Sequence, residues 1–233
     1  LTGGDGDNVM NASAYTSGPV TLTGGAGADT LTGSADNDSL AGGAGNDSLV
    51  AGAGDDVLTG DEGDDLLNGG DGDDKLSQAS DVDQTLTDAT LTGEGTDTLS
   101  NIESAALIGG AGDNTIDASA YTGSVTIDGG AGADTLTGGS GADSLTGGAG
   151  ADSLVGGAGN DSLGGGDGID TLDGGGDTDH ISHSEDADQT LTDTSLGGDT
   201  LANIESAALT GGDSANTIDA SGFSGTVTID GGA

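Results

Sequence analysis

A nine-residue beat constrains this chain more than anything else in it. From Gly24 the sequence divides into GGAGADTLT, GSADNDSLA, GGAGNDSLV, AGAGDDVLT, GDEGDDLLN and GGDGDDKLS, ending at Ser77. A second run begins at Gly129 and reads GGAGADTLT, GGSGADSLT, GGAGADSLV, GGAGNDSLG, GGDGIDTLD and GGGDTDHIS, ending at Ser182. The sixth place is Asp in all twelve units, and the eighth is Leu in eleven, with Ile181 the exception. One such unit is weak evidence, but six in register, twice, is a specific signal. Fixed-period self-similarity of this kind marks a solenoid, in which each unit buries its apolar residue only by stacking on its neighbours.

A longer period encloses the short one. Gly3, Gly109 and Gly211 match at spacings of 106 and 102, and the stretches between arrays are near-copies. DQTLTD recurs at 83–88 and 188–193, NIESAAL at 101–107 and 203–209, and NTIDAS at 114–119 and 216–221. The organisation expected is the end of an inter-array segment at 1–23, an array at 24–77, a wider β-solenoid segment at 78–128, a second array at 129–182, and a second inter-array segment leading into a third module at 183–233. The chain starts at Leu1 and stops inside a unit, which reads as a piece of a longer protein.

Composition alone argues against folding. The 233 residues carry 42 acidic side chains against one basic one, Lys75, for a formal charge of −41. Glycine accounts for 51 residues, and the only aromatics are Tyr15, Tyr121 and Phe223. Low hydrophobicity with high charge ordinarily leaves chain entropy uncompensated, so the repeat must recruit something else. The same charge excludes nucleic acid, whose phosphates need Lys and Arg, and it repels an anionic membrane. No apolar run approaches the length of a membrane span, and the absence of Cys rules out disulfides and thiolate zinc sites.

The missing component follows from the chemistry of each place in the unit. Glycines at places one, two and four allow tight turning with positive φ and leave carbonyl oxygens free. The Asp at place six adds a carboxylate. Calcium takes six to eight such hard oxygens in irregular geometry. Places seven to nine (TLT, SLV, VLT) are expected to form a short strand with Leu inward. Two units make one coil, and coils stack as parallel strands about 4.8 Å apart. Alternate units then share an edge. Asp29, Asp47 and Asp65 are expected along one edge and Asp38, Asp56 and Asp74 along the other. In the second array Asp134, Asp152 and Asp170 oppose Asp143, Asp161 and Asp179. These twelve are the candidate ligands for multiple Ca2+ ions, and the chain is expected to fold when calcium arrives.

The pattern G-G-x-G-x-D-x-U-x, with U a large aliphatic, resembles the RTX repeats of secreted bacterial toxins, proteases, epimerases, adhesins and S-layer proteins. The resemblance implies an all-β fold, a right-handed parallel β-roll with calcium in its turns. It also implies export by type I secretion and folding outside the cell, at the extracellular surface. Departures occur at Ser34 and Asp36 in GSADNDSLA and at Asp177 in GGGDTDHIS. Asn8, Asn114 and Asn216 stand where Asp belongs, while Asp97 and Asp199 sit in degenerate units.

No catalytic constellation emerges. His180 and His183 are the only histidines, one at an outward place and the other without an equivalent in the first module; HExxH and phosphate-loop motifs are absent. EF-hands need helices that these glycine-rich flanks cannot form. The outward places three and five (Ala26, Ala35, Ala44; Ala28, Asn37, Asn46) make no flat Thr-Asn lattice for ice. The expectation is a non-catalytic structural region of a surface layer, filament or adhesin, whose partners are calcium ions and copies of itself or neighbouring repeats. The alternative is a secretion and folding module of a toxin or hydrolase. Strands are expected at 85–87 and 125–127, and a short helical turn at NIESAAL.

Overall fold

The computed structural model describes residues 1–232, and every regular element among them is a β-strand. The strands form two sheets, one of eleven strands and one of fifteen, and the chain alternates between them. In the eleven-stranded sheet every pairing is parallel. Within the arrays it follows the eighteen-residue coil, with Leu22 opposite Leu40 and Leu40 opposite Leu58. Ile127, Leu145 and Leu163 form the corresponding row further on. The chain is thus a parallel β-solenoid.

The eighth-place residues form its spine. Leu31, Leu40, Leu49, Leu58, Leu67 and Leu76, then Leu136, Leu145, Leu154, Leu163, Leu172 and Ile181, are all buried and belong to one continuous core. Their neighbours at place seven face outward, as strand alternation requires. Leu66 is 47% exposed while the adjacent Leu67 is 0% exposed.

Most array strands are longer than the three residues expected, while Thr30–Thr32 and Thr135–Thr137 keep to three. Ser39–Ala44 and Ser153–Ala158 each cover places seven to nine and the first three places of the next unit. Pairing continues through the glycines, with Gly25 opposite Gly43 and Ala26 opposite Ala44. After these longer strands the turn is confined to places four to six, whereas in the second unit of each array it takes places one to six.

Between the arrays the coil widens within one sheet. Gln84–Thr87, Thr90–Thr92 and Thr96–Ser100 make an antiparallel meander. Its outer strands pair in parallel with Leu66–Asp71 before it and Thr115–Ala120 after it. The second copy does the same with Gln189–Thr192, Ser195–Leu196 and Asp199–Ala202. Leu86, Leu91 and Leu99 carry the core through the meander. The strands expected at 85–87 and 125–127 are present. The helical turn at NIESAAL is not: Ser104–Ile108 is a strand of the eleven-stranded sheet. Asn101 and Asn203 take left-handed φ values of 52° and 51°, which Asn tolerates and which turns the chain into the sheet.

Candidate metal centres

Places two and four carry the backbone demand. Gly25 and Gly27 have φ of 118° and 109°, and the later units repeat this. Each such glycine also lies against the carbonyl of its counterpart one coil earlier, so that a Cβ at Gly43 would strike the Gly25 oxygen. Place one is different. Its glycines do not take positive φ, contrary to expectation. A Cβ there would fall on the carboxylate of the same turn, Gly24 on Asp29 Oδ2 and Gly42 on Asp47 Oδ2. Where place one is Gly, the sixth-place Asp folds back over it; Ala51, at place one of the fourth unit, shows that the fold also accommodates a Cβ there.

The sixth-place aspartates stack into four ladders. Along the first, the Asn8 N–H donates to Asp29 Oδ1 (2.6 Å), Asp29 to Asp47 (2.7 Å), Asp47 to Asp65 (2.7 Å) and Asp65 to Asp97 (3.1 Å). Along the opposite edge run Val20 to Asp38, Asp38 to Asp56, Asp56 to Asp74, and Asp74 to Glu103 Oε2 (2.8 Å). The second array repeats both. One ladder runs from Asn114 through Asp134, Asp152 and Asp170 to Asp199, and the other from Val125 through Asp143, Asp161 and Asp179 to Glu205. All twelve aspartates are thus gathered on the edges that the spacing assigned them. Asp97 and Asp199 continue the ladders despite their irregular units. Glu103 and Glu205 escaped the sequence reading. Their signal was rarity, since Glu occurs only five times and two of those occupy the same place in repeated NIESAAL.

One oxygen of each carboxylate is used by this ladder. The other, Oδ2, is buried and has no hydrogen-bond partner in Asp29, Asp47, Asp56, Asp65, Asp74, Asp134, Asp152, Asp161, Asp170 and Asp179. An ionised carboxylate only accepts, and leaving a buried acceptor unsatisfied costs about 1–3 kcal/mol, more for a charged group. The single Lys cannot serve ten such atoms. Burial pushes Asp56 and Asp161 up to about 6 and Asp65 up to about 7. The backbone N–H bonds oppose this and the stacked carboxylates of neighbouring coils reinforce it. Asp47, Asp74, Asp134, Asp143, Asp152 and Asp179 are raised in the same direction, with burial the largest cause.

Asp38 and Asp143 stand apart. Asp38 Oδ2 accepts the Ser34 N–H (2.5 Å) and Asp143 Oδ2 accepts the Gly139 N–H (2.6 Å). Both lie in the second unit of an array, where the preceding coil on that edge is a wide loop rather than a nonapeptide turn. Gly139 keeps the consensus residue yet lacks the positive φ of other second-place glycines, so the stacking partner, not the motif, sets this turn.

The donor set suits a hard cation. Stacked carboxylate oxygens alternate with glycine carbonyls, with no sulfur and no imidazole in the ladders. No three His, Cys, Asp or Glu side chains converge on one point among the described residues. An ion in these turns therefore draws on backbone carbonyls as well as carboxylates. The histidines lie outside the ladders: His180 Nδ1 is 3.0 Å from Ser206 Oγ, and His183 Nε2 is 3.4 Å from Glu185. Among the described residues no helix is long and apolar enough to cross a membrane.

Comparison with known families matches this geometry to the RTX calcium-binding nonapeptide repeat over residues 21–49, 41–76, 106–120, 128–163 and 155–189. The match at 106–120 falls on the stretch containing Asn114, outside both regular arrays. No match to a curated protein was found. Since the family's repeat accounts for more than half of the residues and its turns are the ones that leave carboxylate oxygens without partners, the chain belongs to the RTX calcium-binding nonapeptide repeat family.

Proposed function

We propose that this chain is a non-catalytic extracellular region that folds when calcium binds and forms part of a surface layer, filament or adhesin stalk. The observation that carries the reading is the set of ten buried Oδ2 atoms without partners, stacked coil upon coil. Bound calcium supplies the positive charge that the sequence lacks. The residues that would hold it are the stacked aspartates of each ladder, with the glycine carbonyls of the intervening turns.

Only one residue in nine is a spine aliphatic, whereas chain entropy falls on all nine. Binding free energy then becomes folding free energy. A chain of this kind stays open in a calcium-poor cytoplasm and closes after export, which fits type I secretion to the cell exterior.

Circular dichroism in calcium and in excess EGTA tests the folding claim, and light scattering across the same titration tests assembly. The expected outcome is β-signal in calcium, its loss in EGTA, and a rising mass with calcium. Retention of the full β-signal in EGTA overturns the reading.

A further inference from the structure

One small cavity lies outside the nonapeptide turns. It measures about 10 Å3, room for a single water-sized particle, and sits where the fifth unit of the first array meets the antiparallel meander. Its polar lining is Asp61, Gln78, Ser80, Gln84, Thr92, Glu94 and Asp97.

Two buried atoms on its wall lack partners. Ser80 is 6% exposed and its Oγ bonds to nothing. Gln84 is 1% exposed, and its Nε2 donates to the carbonyls of Ile108 (3.1 Å) and Ser80 (3.4 Å). Those two carbonyls can only accept, which fixes the amide orientation and leaves Gln84 Oε1 unpartnered. Gln78 Oε1 faces the Asp61 N–H at 3.4 Å. Acceptors therefore outnumber donors on this wall, three carboxylates and two amide oxygens against the hydroxyls of Ser80 and Thr92, which donate as well as accept. A water molecule brings two protons to such a wall, and a cation answers all of it.

Asp61 makes the same point from the backbone. It occupies place two of its unit, where most other units carry Gly, and adopts φ of 66°. The positive φ is the repeat's own demand at place two; what is particular to Asp61 is that a carboxylate, strained there as Gly would not be, stands at the cavity wall. The second module supplies an internal comparison. Ser162 pairs with His180 as Val57 pairs with Lys75, so Gly166 corresponds to Asp61, His183 to Gln78 and Glu185 to Ser80. The shorter meander there has no counterpart of Glu94, and the corresponding space is a wider cavity of about 170 Å3.

We infer that a calcium ion occupies the first-module cavity, held by the carboxylates of Asp61, Glu94 and Asp97 together with Gln84 Oε1. This site shares Asp97 with the head of the first ladder, where Asp97 Oδ1 accepts the Asp65 N–H, and it rests on calcium being the ion this chain takes up. The acids line the cavity without converging on one point among the described residues, and a closed shell would require Glu94, on the exposed loop, to turn inward. The ion ties the meander to the array that precedes it.

Native mass spectrometry of the calcium-loaded 233-residue chain counts bound ions as integers. Asp61→Gly restores the glycine of the repeat and relieves the left-handed φ, so it folds at least as well, as circular dichroism will show. It and Glu94→Gln are each expected to bind one calcium fewer than the parent, while Asp167→Asn, which removes an exposed acid beside the wider cavity, binds the same number. An unchanged count in either Asp61→Gly or Glu94→Gln overturns the site and leaves the turn ladders standing. A parent chain that binds no calcium overturns both.

Discussion

Removing calcium should make the fold acid-loving, and the size of the effect follows from four aspartates. Asp56, Asp65, Asp97 and Asp161 are 1%, 3%, 5% and 2% exposed, and burial raises them from 3.8 to about 6, 7, 6 and 6. In the metal-free folded chain they hold protons that the unfolded chain releases near pH 4. Their contribution to stability is thus fully present below about pH 4 and disappears as pH rises through 6 to 7. Each retained proton is worth about 1.4 kcal/mol per pH unit, so four give at most about 6 kcal/mol per unit. Asp65 and Asp97 are adjacent rungs; counted as one coupled pair, they leave an expected slope of about 4 kcal/mol per unit. The assay is circular dichroism in calcium-stripped buffer between pH 5 and 8, with β-signal expected to rise towards pH 5. General self-repulsion of a −41 chain has the same sign, but salt screens it over about 8–10 Å and leaves a buried ladder largely untouched. The gain should therefore survive 0.5 M KCl. With calcium present the dependence reverses, because protons and calcium compete for the same oxygens, and the calcium midpoint should fall as pH rises from 5.5 to 7.5. A metal-free chain no more structured at pH 5 than at pH 8, or a gain abolished by salt, refutes the reasoning.

Other substitutions separate the parts of the coil. Asp65→Asn keeps the acceptor for the Asp47 N–H but removes a buried charge and a ligand; it should stabilise the metal-free fold by about 1–3 kcal/mol and raise the calcium midpoint at least about tenfold, read in one titration series. Leu67→Ala deletes a fully buried spine residue and should cost about 2–5 kcal/mol, whereas Leu66→Ala beside it, 47% exposed, should stay within about 0.5 kcal/mol; calcium-loaded thermal melts compare them. Asp38→Asn should shift the calcium midpoint less than Asp56→Asn, because Asp38 Oδ2 already accepts from Ser34 while Asp56 Oδ2 accepts from nothing; equal shifts would contradict the distinction.

What the sequence disclosed was whatever repeats at a fixed interval. Leu at place eight and Asp at place six recur every nine residues, and the eighteen-residue coil puts Asp29, Asp47 and Asp65 on one edge with no further information. The meander was hidden because its three strands pair with one another across short turns. Residues 84–100 carry no nine-residue beat to announce that one strand has become three. Glu103 was hidden for a related reason. It caps the Asp74 N–H across 29 residues, and only the stacked geometry brings the two together. The altered turn at Gly139 could not be read from GGSGADSLT, since the residues are those of any other unit and the difference lies in the coil beneath.

The Asn residues at 8 and 114 change meaning in this light. In the sequence they look like aspartates that lost their charge. In the fold they are the feet of ladders: each rung donates its N–H to the carboxylate of the next coil, so the foot must supply a backbone N–H but no carboxylate, while the Asn8 side chain adds a second bond to Asp29 Oδ1 (3.1 Å) and Asn114 Oδ1 accepts the Gly110 N–H (2.8 Å). Val20 and Val125 do the same on the opposite edge with no polar side chain at all. The far end has the opposite need. The last array aspartate has an N–H to place, and Asp97, Glu103, Asp199 and Glu205 receive it. An acid is therefore required above each ladder and superfluous below it. Each ladder holds four carboxylates and three intervals between them, matching three motifs only because the inter-array acid stands in for the uncharged foot. Intervals, not motifs, are the unit in which such a ladder presents paired oxygens to an ion, and an array moved away from its inter-array segment would lose one interval on each edge while keeping every consensus residue.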